Sequence, residues 1–395
     1  MLWKQLKKRG LKLKKFNTKM SIRTVIKSLS VLVIIGFASS IIFQSCSLKP
    51  LAWKPPIKPE LRGKIAENEL LSTTKWVDLD GWYGPEDIAI DKQGNLYCGV
   101  HISKTDFSDG RILKIDTLGN VTVFCNTESW VTGLHFDKNE NLIACDQKRG
   151  LISVNKKGEI TILASQDKKG NKFLIPNDVD IAEDGVIYFS NTSSKYSFSQ
   201  KMARKILLEV KPDGGLYSYN PETKEVKTLI DSSFFGNGVA VSNDDKFVLM
   251  VDLTKYRIVR YWLKGDKKGE VELFLQNLPG LPNGISRRSD GSFWLGFTTR
   301  RDDLLDKIQA RTGLKKFIYG IPMWLQPKQE SFGMLMHISE NGKILKTYYD
   351  TTGKFVSEAS SIEENNGYLY LGGDLTNHIG KYKLEEELAK NGNNI

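Results

Sequence analysis

One unit of this chain recurs six times, and that recurrence restricts the fold more than any other property. The copies read "GPEDIAIDKQGNLYCGV" (Gly84 to Val100), "VTGLHFDKNENLIACD" (Val131 to Asp146), "IPNDVDIAEDGVIYFSN" (Ile175 to Asn191), "FGNGVAVSNDDKFVLMVD" (Phe235 to Asp252), "LPNGISRRSDGSFWLGF" (Leu281 to Phe297) and "SEASSIEENNGYLYLGG" (Ser357 to Gly373). In each copy a short alternating apolar run meets a polar turn with Gly, Asn or Asp, and a second apolar run follows. That grammar is a hairpin. More alternating strand follows, as in "GRILKIDTLGNVTVF" and "YRIVRYWLKGDKKGEVELF". The unit is a four-stranded meander spaced at about 46 residues, with longer gaps after the third and fifth copies.

Such repeats predict an all-β chain: a six-bladed β-propeller of four-stranded antiparallel blades. The period-2 alternation excludes a solenoid of helices. The sixth copy lacks a fourth strand, whereas "TKWVDL" (Thr74 to Leu79) is a strand without a blade. It is predicted to complete blade six and close the ring, which removes exposed edges. The propeller then spans residues 74–386, with 387–395 as a polar tail. Insertions at 192–210 and 298–332 interrupt blades three and five. The second contains an amphipathic stretch, "DDLLDKIQART", with Leu304, Leu305, Ile308 and Ala310 roughly on one face. The apolar "FIYGIPMWL" follows, so this insertion is expected to cover the pocket or touch a membrane.

The net charge of +11 is a property of one end. Residues 1–27 hold ten Lys or Arg and no acid, and removing those ten leaves +1 for the remainder. A near-neutral body gives no argument for nucleic acid as a partner. The basic cluster precedes 21 uncharged residues, "SLSVLVIIGFASSIIFQSCSL" (28–48), long enough to cross a bilayer. Two readings of residues 1–48 stay open. The run stays as an N-terminal membrane anchor, or it is a lipoprotein signal with Cys46 as the lipidated residue. Either places the body outside the cytoplasm, tethered to a membrane. Residues 49–73, Pro-rich and charged at first, read as a linker. The remaining Cys98, Cys125 and Cys145 are too few for a disulfide framework and read as small buried thiols.

In a propeller the first strand of each blade lines the central channel, so aligned positions form a ring. Four residues before Ile90, Phe136, Ile181, Val241, Arg287 and Ile362 stand Glu86, Thr132, Asn177, Asn237, Asn283 and Glu358. The ring is two carboxylates, three amides and a hydroxyl, all presenting oxygen. Hard oxygen ligands suit Ca²⁺, with Mg²⁺ or Mn²⁺ as alternatives. None of His101, His135, His337 and His378 falls in the ring, which argues against zinc. Nor does a Ser or Cys motif beside them mark a nucleophilic triad. An ion held here would polarise a carbonyl, and a free carboxylate would serve as base. The expected partner is a small-molecule substrate or ligand.

The segments "GPEDIAID", "IPNDVDIAEDGVIYFSNTSSKY", "SEASSIEENNGYLYLGG" and the long run from "NGVAVSNDDKF" through "YRIVRYWLKG" to "LPNGISRRSDGSFWLG" resemble the strictosidine synthase-like family. The likeness runs from about Gly84 to Leu384 and includes both insertions. More distantly, the chain is similar to gluconolactonases and paraoxonases. The resemblance to those hydrolases implies a central Ca²⁺ held by Glu86, Asn177, Asn237 and Asn283, and hydrolysis of lactones or aryl esters. Strictosidine synthase itself condenses an amine with an aldehyde using a Glu of blade six; Glu358 matches it by register, with Ser357 the neighbouring alternative. A binding propeller without catalysis is the third reading. Two departures stand out. The family commonly has Pro-Asp-Asn where this chain has Pro282-Asn283-Gly284, and Thr-Asp where it has Ser190-Asn191. Each removes a carboxylate, and Asn191 is taken with Thr132 as pocket-lining.

Overall fold

The computed structural model describes residues 22–385 apart from 105 and 327. Most of the basic cluster and the predicted tail at 387–395 lie outside the described residues. Six four-stranded antiparallel sheets are present. Blade one runs over β2 (Ile88–Ile90), β3 (Leu96–Ser103), β4 (Asp106–Ile115) and β5 (Val121–Asn126). Blades two to five each repeat this up-and-down order within one stretch of chain. Blade six is different: β22 (Ile362–Asn365), β23 (Tyr368–Leu371) and β24 (His378–Lys383) are completed by β1 (Lys75–Asp78). Lys75 faces Lys381 and Asp78 faces His378 across that last ladder, as the unassigned strand at Thr74 to Leu79 requires.

The core lies between blades. Apolar clusters join neighbouring sheets, the largest uniting blades four and five through Leu249, Val251, Leu295, Phe297 and Met336. Alternation along each strand sends one face to each neighbouring blade, so sheets stack with both faces covered. Cys98, Cys125 and Cys145 are buried and free, as expected of small apolar-like side chains.

The inner strands of blades two to five share one irregularity. Their register shifts between Val131 and Leu134, between Pro176 and Val179, between Gly236 and Val239, and between Pro282 and Ile285. Each is a β-bulge, which bends a strand and re-aims its side chains. The bulges fall on Thr132, Asn177, Asn237 and Asn283, the predicted ring.

Both insertions are ordered on the same end of the molecule. Inner strands begin at the ring and second strands return to it, so the loops leaving the second strands lie at that mouth. The first insertion forms α2 (Gln200–Glu209), with the Ser199 side chain accepting from the Met202 amide as N-cap. This helix was not anticipated. The second forms α3 (Asp303–Gln309), capped by Asp302, and α4 (Thr312–Gly320). The apolar N-terminal segment is one helix, α1 (Ile22–Ser47).

The linker reading of residues 49–73 is corrected. Leu48 and Leu71 are fully buried. Between them the chain is a strap. The Lys49 amide donates to Glu209 Oε1 (2.7 Å), Trp53 N to the Gln309 carbonyl (3.0 Å), and Tyr349 Oη to the Ile65 carbonyl (2.9 Å). Proline and charge marked a solvated segment, but its backbone groups find partners on both insertions and blade five.

Candidate functional site

All six ring residues are buried at one end of the channel. The residue after each ring position explains the recurring Asn-Gly. None of Gly133, Gly238 and Gly284 has a positive φ, so these glycines do not make turns. They permit contact between blades. A Cβ on Gly238 would stand 2.6 Å from the Asn283 carbonyl oxygen, and one on Gly284 would stand 2.0 Å from that of Ser360. In blades one and three the same position carries Asp87 and Asp178. Each reaches the next blade, Asp87 accepting from Leu134 N and Asp178 from Val239 N, both at 2.6 Å. Copies with Gly and copies with Asp therefore close the ring by different means.

The ring residues themselves divide into two groups. Asn177 Oδ1 and Asn283 Oδ1 are buried without a hydrogen-bond partner. The Asn283 amide nitrogen donates to Thr298 Oγ1 at 2.9 Å, which leaves the oxygen as the free end. Glu86 is 5% exposed, and burial, then the charges of Asp374, Asp87, Asp178 and Glu358, hold its carboxyl well above the usual range. Buried oxygens without donors beside a carboxylate that resists ionisation fit a bound cation. Asn237 completes that set by register. Among the described residues no group of three or more His, Cys, Asp or Glu is placed as a metal cluster, so such an ion would rest mainly on amides.

Thr132 and Asn191 are committed elsewhere. Thr132 Oγ1 donates to the Pro176 carbonyl (3.0 Å) and accepts from Gln147. Asn191 Oδ1 accepts from Ile175 N (3.1 Å), and its Nδ2 donates to Ser194 Oγ (2.9 Å). In this it matches Asp146, which accepts from Ser129, and Asp252, which accepts from Phe234 N. The amide at 191 thus anchors a strand end; Thr132 and Asn191, like Asn283 and Glu358, lie outside the lining of the channel cavity.

Glu358 lies in the turn before β22. Its Oε1 accepts from Leu375 N at 2.9 Å. Burial, then the nearby Asp374, raises its carboxyl to about 8, and burial raises Asp374 to about 6. Asp374 was not singled out from the sequence, because it follows Gly-Gly outside the repeat register. Around it stands an aromatic wall. His101 Nε2 lies 3.2 Å from the Asp374 carbonyl oxygen, and the rings of Phe107, Trp130 and Phe198 pack in succession at 4.9–5.1 Å. Phe198 comes from the first insertion.

Below the ring the channel holds a cavity of about 150 Å³ that reaches Glu86, Asn177 and Asn237. Its wall adds Asp87, Asp178, Asp180, Glu363, His135 and Arg287. Asp180 accepts from Val241 N (2.8 Å), with His135 Nε2 at 3.2 Å and Arg287 at 3.5 Å. Burial, and then Asp87, Asp180 and Asp178, hold Glu363 well above the usual range. The alternation of the inner strands was the available signal for these residues, since Asp87 and Asp178 directly follow ring positions.

With this geometry the chain can be set beside known proteins. Residues 63–115 match the model of the strictosidine synthase-like N-terminal family, and residues 177–267 match that of strictosidine synthase. The adipocyte plasma membrane-associated protein of Bos taurus is 30% identical over 362 residues, covering 85% of this chain and 84% of that one. The chain belongs to the strictosidine synthase-like family. Strictosidine synthase-like protein 10 of Arabidopsis thaliana is 32% identical over 355 residues, covering 82% of this chain and 91% of its own length. Among solved structures, a gluconolactonase from Xanthomonas campestris superposes with a TM-score of 0.57 at 16% identity, covering 86% of this chain and 98% of that one. A calcium-binding regucalcin from Agrobacterium tumefaciens gives a TM-score of 0.51 at 12% identity, over 79% and 96%. These two share the propeller fold with this family member.

Proposed function

We propose that the ring mouth of the propeller hydrolyses lactones or aryl esters with the help of a divalent cation, Ca²⁺ first. The observation that carries this reading is the pair of donorless oxygens, Asn177 Oδ1 and Asn283 Oδ1, buried at the same register of the repeat as the buried Glu86. Glu86, Asn177, Asn237 and Asn283 would hold the ion. When bound, it supplies Lewis-acid polarisation of a carbonyl and a counter-charge for the developing oxyanion. Glu358 takes the proton from an attacking water as the C–O bond forms. The acyl–oxygen bond then breaks, and the proton returns to the leaving oxygen. Asp374 keeps Glu358 basic enough for this at neutral pH. Phe107, Trp130 and Phe198 favour an apolar acyl or aryl group and exclude water. The gluconolactonase among the structural neighbours acts on a lactone by name, which accords with the class.

A second reading rests on Glu358 alone. A buried carboxylate raised to about 8 also suits an amine–aldehyde condensation that needs no metal. The apolar helix α1 and the membrane-associated relative support a tether; the basic cluster ahead of the apolar run is what favours a propeller outside the cytoplasm.

The deciding experiment is calorimetric titration of the purified chain with Ca²⁺, paired with turnover of phenyl acetate and a lactone panel. The hydrolase reading expects stoichiometric binding, and loss of both binding and turnover in Glu86→Gln and in EDTA. Full turnover in EDTA overturns the metal, and absence of turnover with a ligand-induced rise in Tm leaves a binding propeller. Metal-independent loss in Glu358→Gln favours condensation.

A further inference from the structure

Helix α1 exposes Leu32, Ile35, Ile42 and Phe43 on several sides, and its apolar span Ile26–Ser47 is 22 residues long. At 1.5 Å per residue that is ~33 Å, about the thickness of a hydrocarbon core. Ser45 to Ser47 therefore stand at a membrane surface when the helix is inserted. That end of the helix docks on the propeller. A Cβ on Gly320 of α4 would lie 2.6 Å from the Ile41 carbonyl oxygen, and Leu48 is sealed among Leu208, Ile308 and Tyr319.

Two features gather at this junction. A second cavity of about 140 Å³ is lined by Gln44, Lys201, Arg204, Tyr319, Met323 and Gln326. No carboxylate is among its described lining residues. Arg204 Nη1 donates to Gln326 Oε1 at 2.8 Å, which fixes the guanidinium at the cavity wall. Glu209, the nearest acid of α2, is buried and accepts from Lys49 N and Tyr196 Oη. In the chain segments that contribute Tyr319, Met323 and Gln326 to the cavity, Phe317 is 56% and Trp324 74% exposed, and Met323 and Leu325 are half-exposed. Large apolar groups rimmed by cations, continuous with a bilayer-spanning helix, match the interfacial layer of a membrane.

We propose that the two insertions form a membrane seat, in which the Lys201–Arg204 cavity takes the phosphodiester headgroup of an anionic phospholipid and Phe317, Met323, Trp324 and Leu325 enter the interface. The proposal rests on the reading of α1 as a retained anchor and says nothing about hydrolysis. Its consequence is orientation. The insertions leave blades three and five at the ring-mouth end, so the seat turns that end toward the lipid surface and ties the propeller down at two places.

The test reconstitutes the full chain into nanodiscs of phosphatidylcholine with phosphatidylglycerol, using lipids brominated on their upper acyl chains. Trp324 should lose emission in brominated discs, measured as the difference from Trp324→Phe. In detergent, phosphatidylglycerol binding followed by native mass spectrometry should weaken about five-fold in Lys201→Ala, as expected for one cation at an anionic surface. Protein in the disc with Trp324 unquenched overturns the apolar seat. Equal binding of phosphatidylglycerol by wild type and Lys201→Ala overturns the headgroup site. Failure of the anchor reading is a separate result: the chain then does not enter the discs at all.

Discussion

The Asn283 side chain donates its nitrogen to Thr298 Oγ1 at 2.9 Å, and its oxygen is buried without a hydrogen-bond partner. This is also a position at which the family resemblance implies Asp. An Asp at 283 can keep the contact, because the Thr298 hydroxyl can donate as well as accept. Asn283→Asp is therefore expected to bind Ca²⁺ at least about ten-fold more tightly, since it adds a charge to a set of amides. The same change should lower the Tm in chelator, where a further carboxylate meets the buried Glu86. A calorimetric titration and a melt with and without EDTA check both signs, and a variant that gains Tm without metal contradicts the assignment.

Glu358 sets the expected pH profile. A general base works deprotonated, so kcat/KM should climb as the pair releases its protons, at about 6 and about 8. Asp374→Asn removes the largest charge acting on Glu358. Its carboxyl then falls, and the rising limb should move to lower pH. Glu358→Gln should abolish the limb and lower kcat by ~10²–10⁴. An unmoved limb in Asp374→Asn would assign the titration to another group.

Gly284 tests the blade contact independently of any activity. A Cβ there would stand 2.0 Å from the Ser360 oxygen, so blades five and six must part to admit it. Gly284→Ala should cost about 3 kcal/mol in chemical denaturation, the upper end of the usual range for overpacking. Gly313→Ala is the control: it sits in α4 with nothing within 4 Å, and alanine favours a helix. Equal midpoints for the two variants would contradict the packing account.

Glu209 holds the strap. It is 1% exposed and accepts from Lys49 N at 2.7 Å and Tyr196 Oη at 3.0 Å. Glu209→Ala removes charge-assisted bonds of about 1.5–3 kcal/mol each. In hydrogen exchange the amides of Lys49, Leu51 and Trp53 should be protected in the wild type and exchange faster in the variant. Unchanged protection would place the hold on the strap elsewhere.

The sequence by itself determined the parts that repeat. Blade number, strand order, the closing strand at Lys75–Asp78 and the register of Glu86, Asn177, Asn237, Asn283 and Glu358 follow from local alternation copied six times, and local patterns are readable one residue at a time. Only the tertiary structure decided what happens between copies. That Asn-Gly serves blade contact and not a turn depends on Gly284 meeting Ser360 of the next blade. Asn191 proved a strand-end anchor because its oxygen meets Ile175 N across the blade. Asp374 joined the site because the end of β23 folds back over Glu358. Residues 49–73 became a strap because Lys49 meets Glu209 at a separation of 160 residues. The blade contact and the strand-end anchor do recur at matching positions, but their partners lie in another blade or across the hairpin, so alternation along one strand does not name them; the contacts of Asp374 and Lys49 are each made once, outside the repeat.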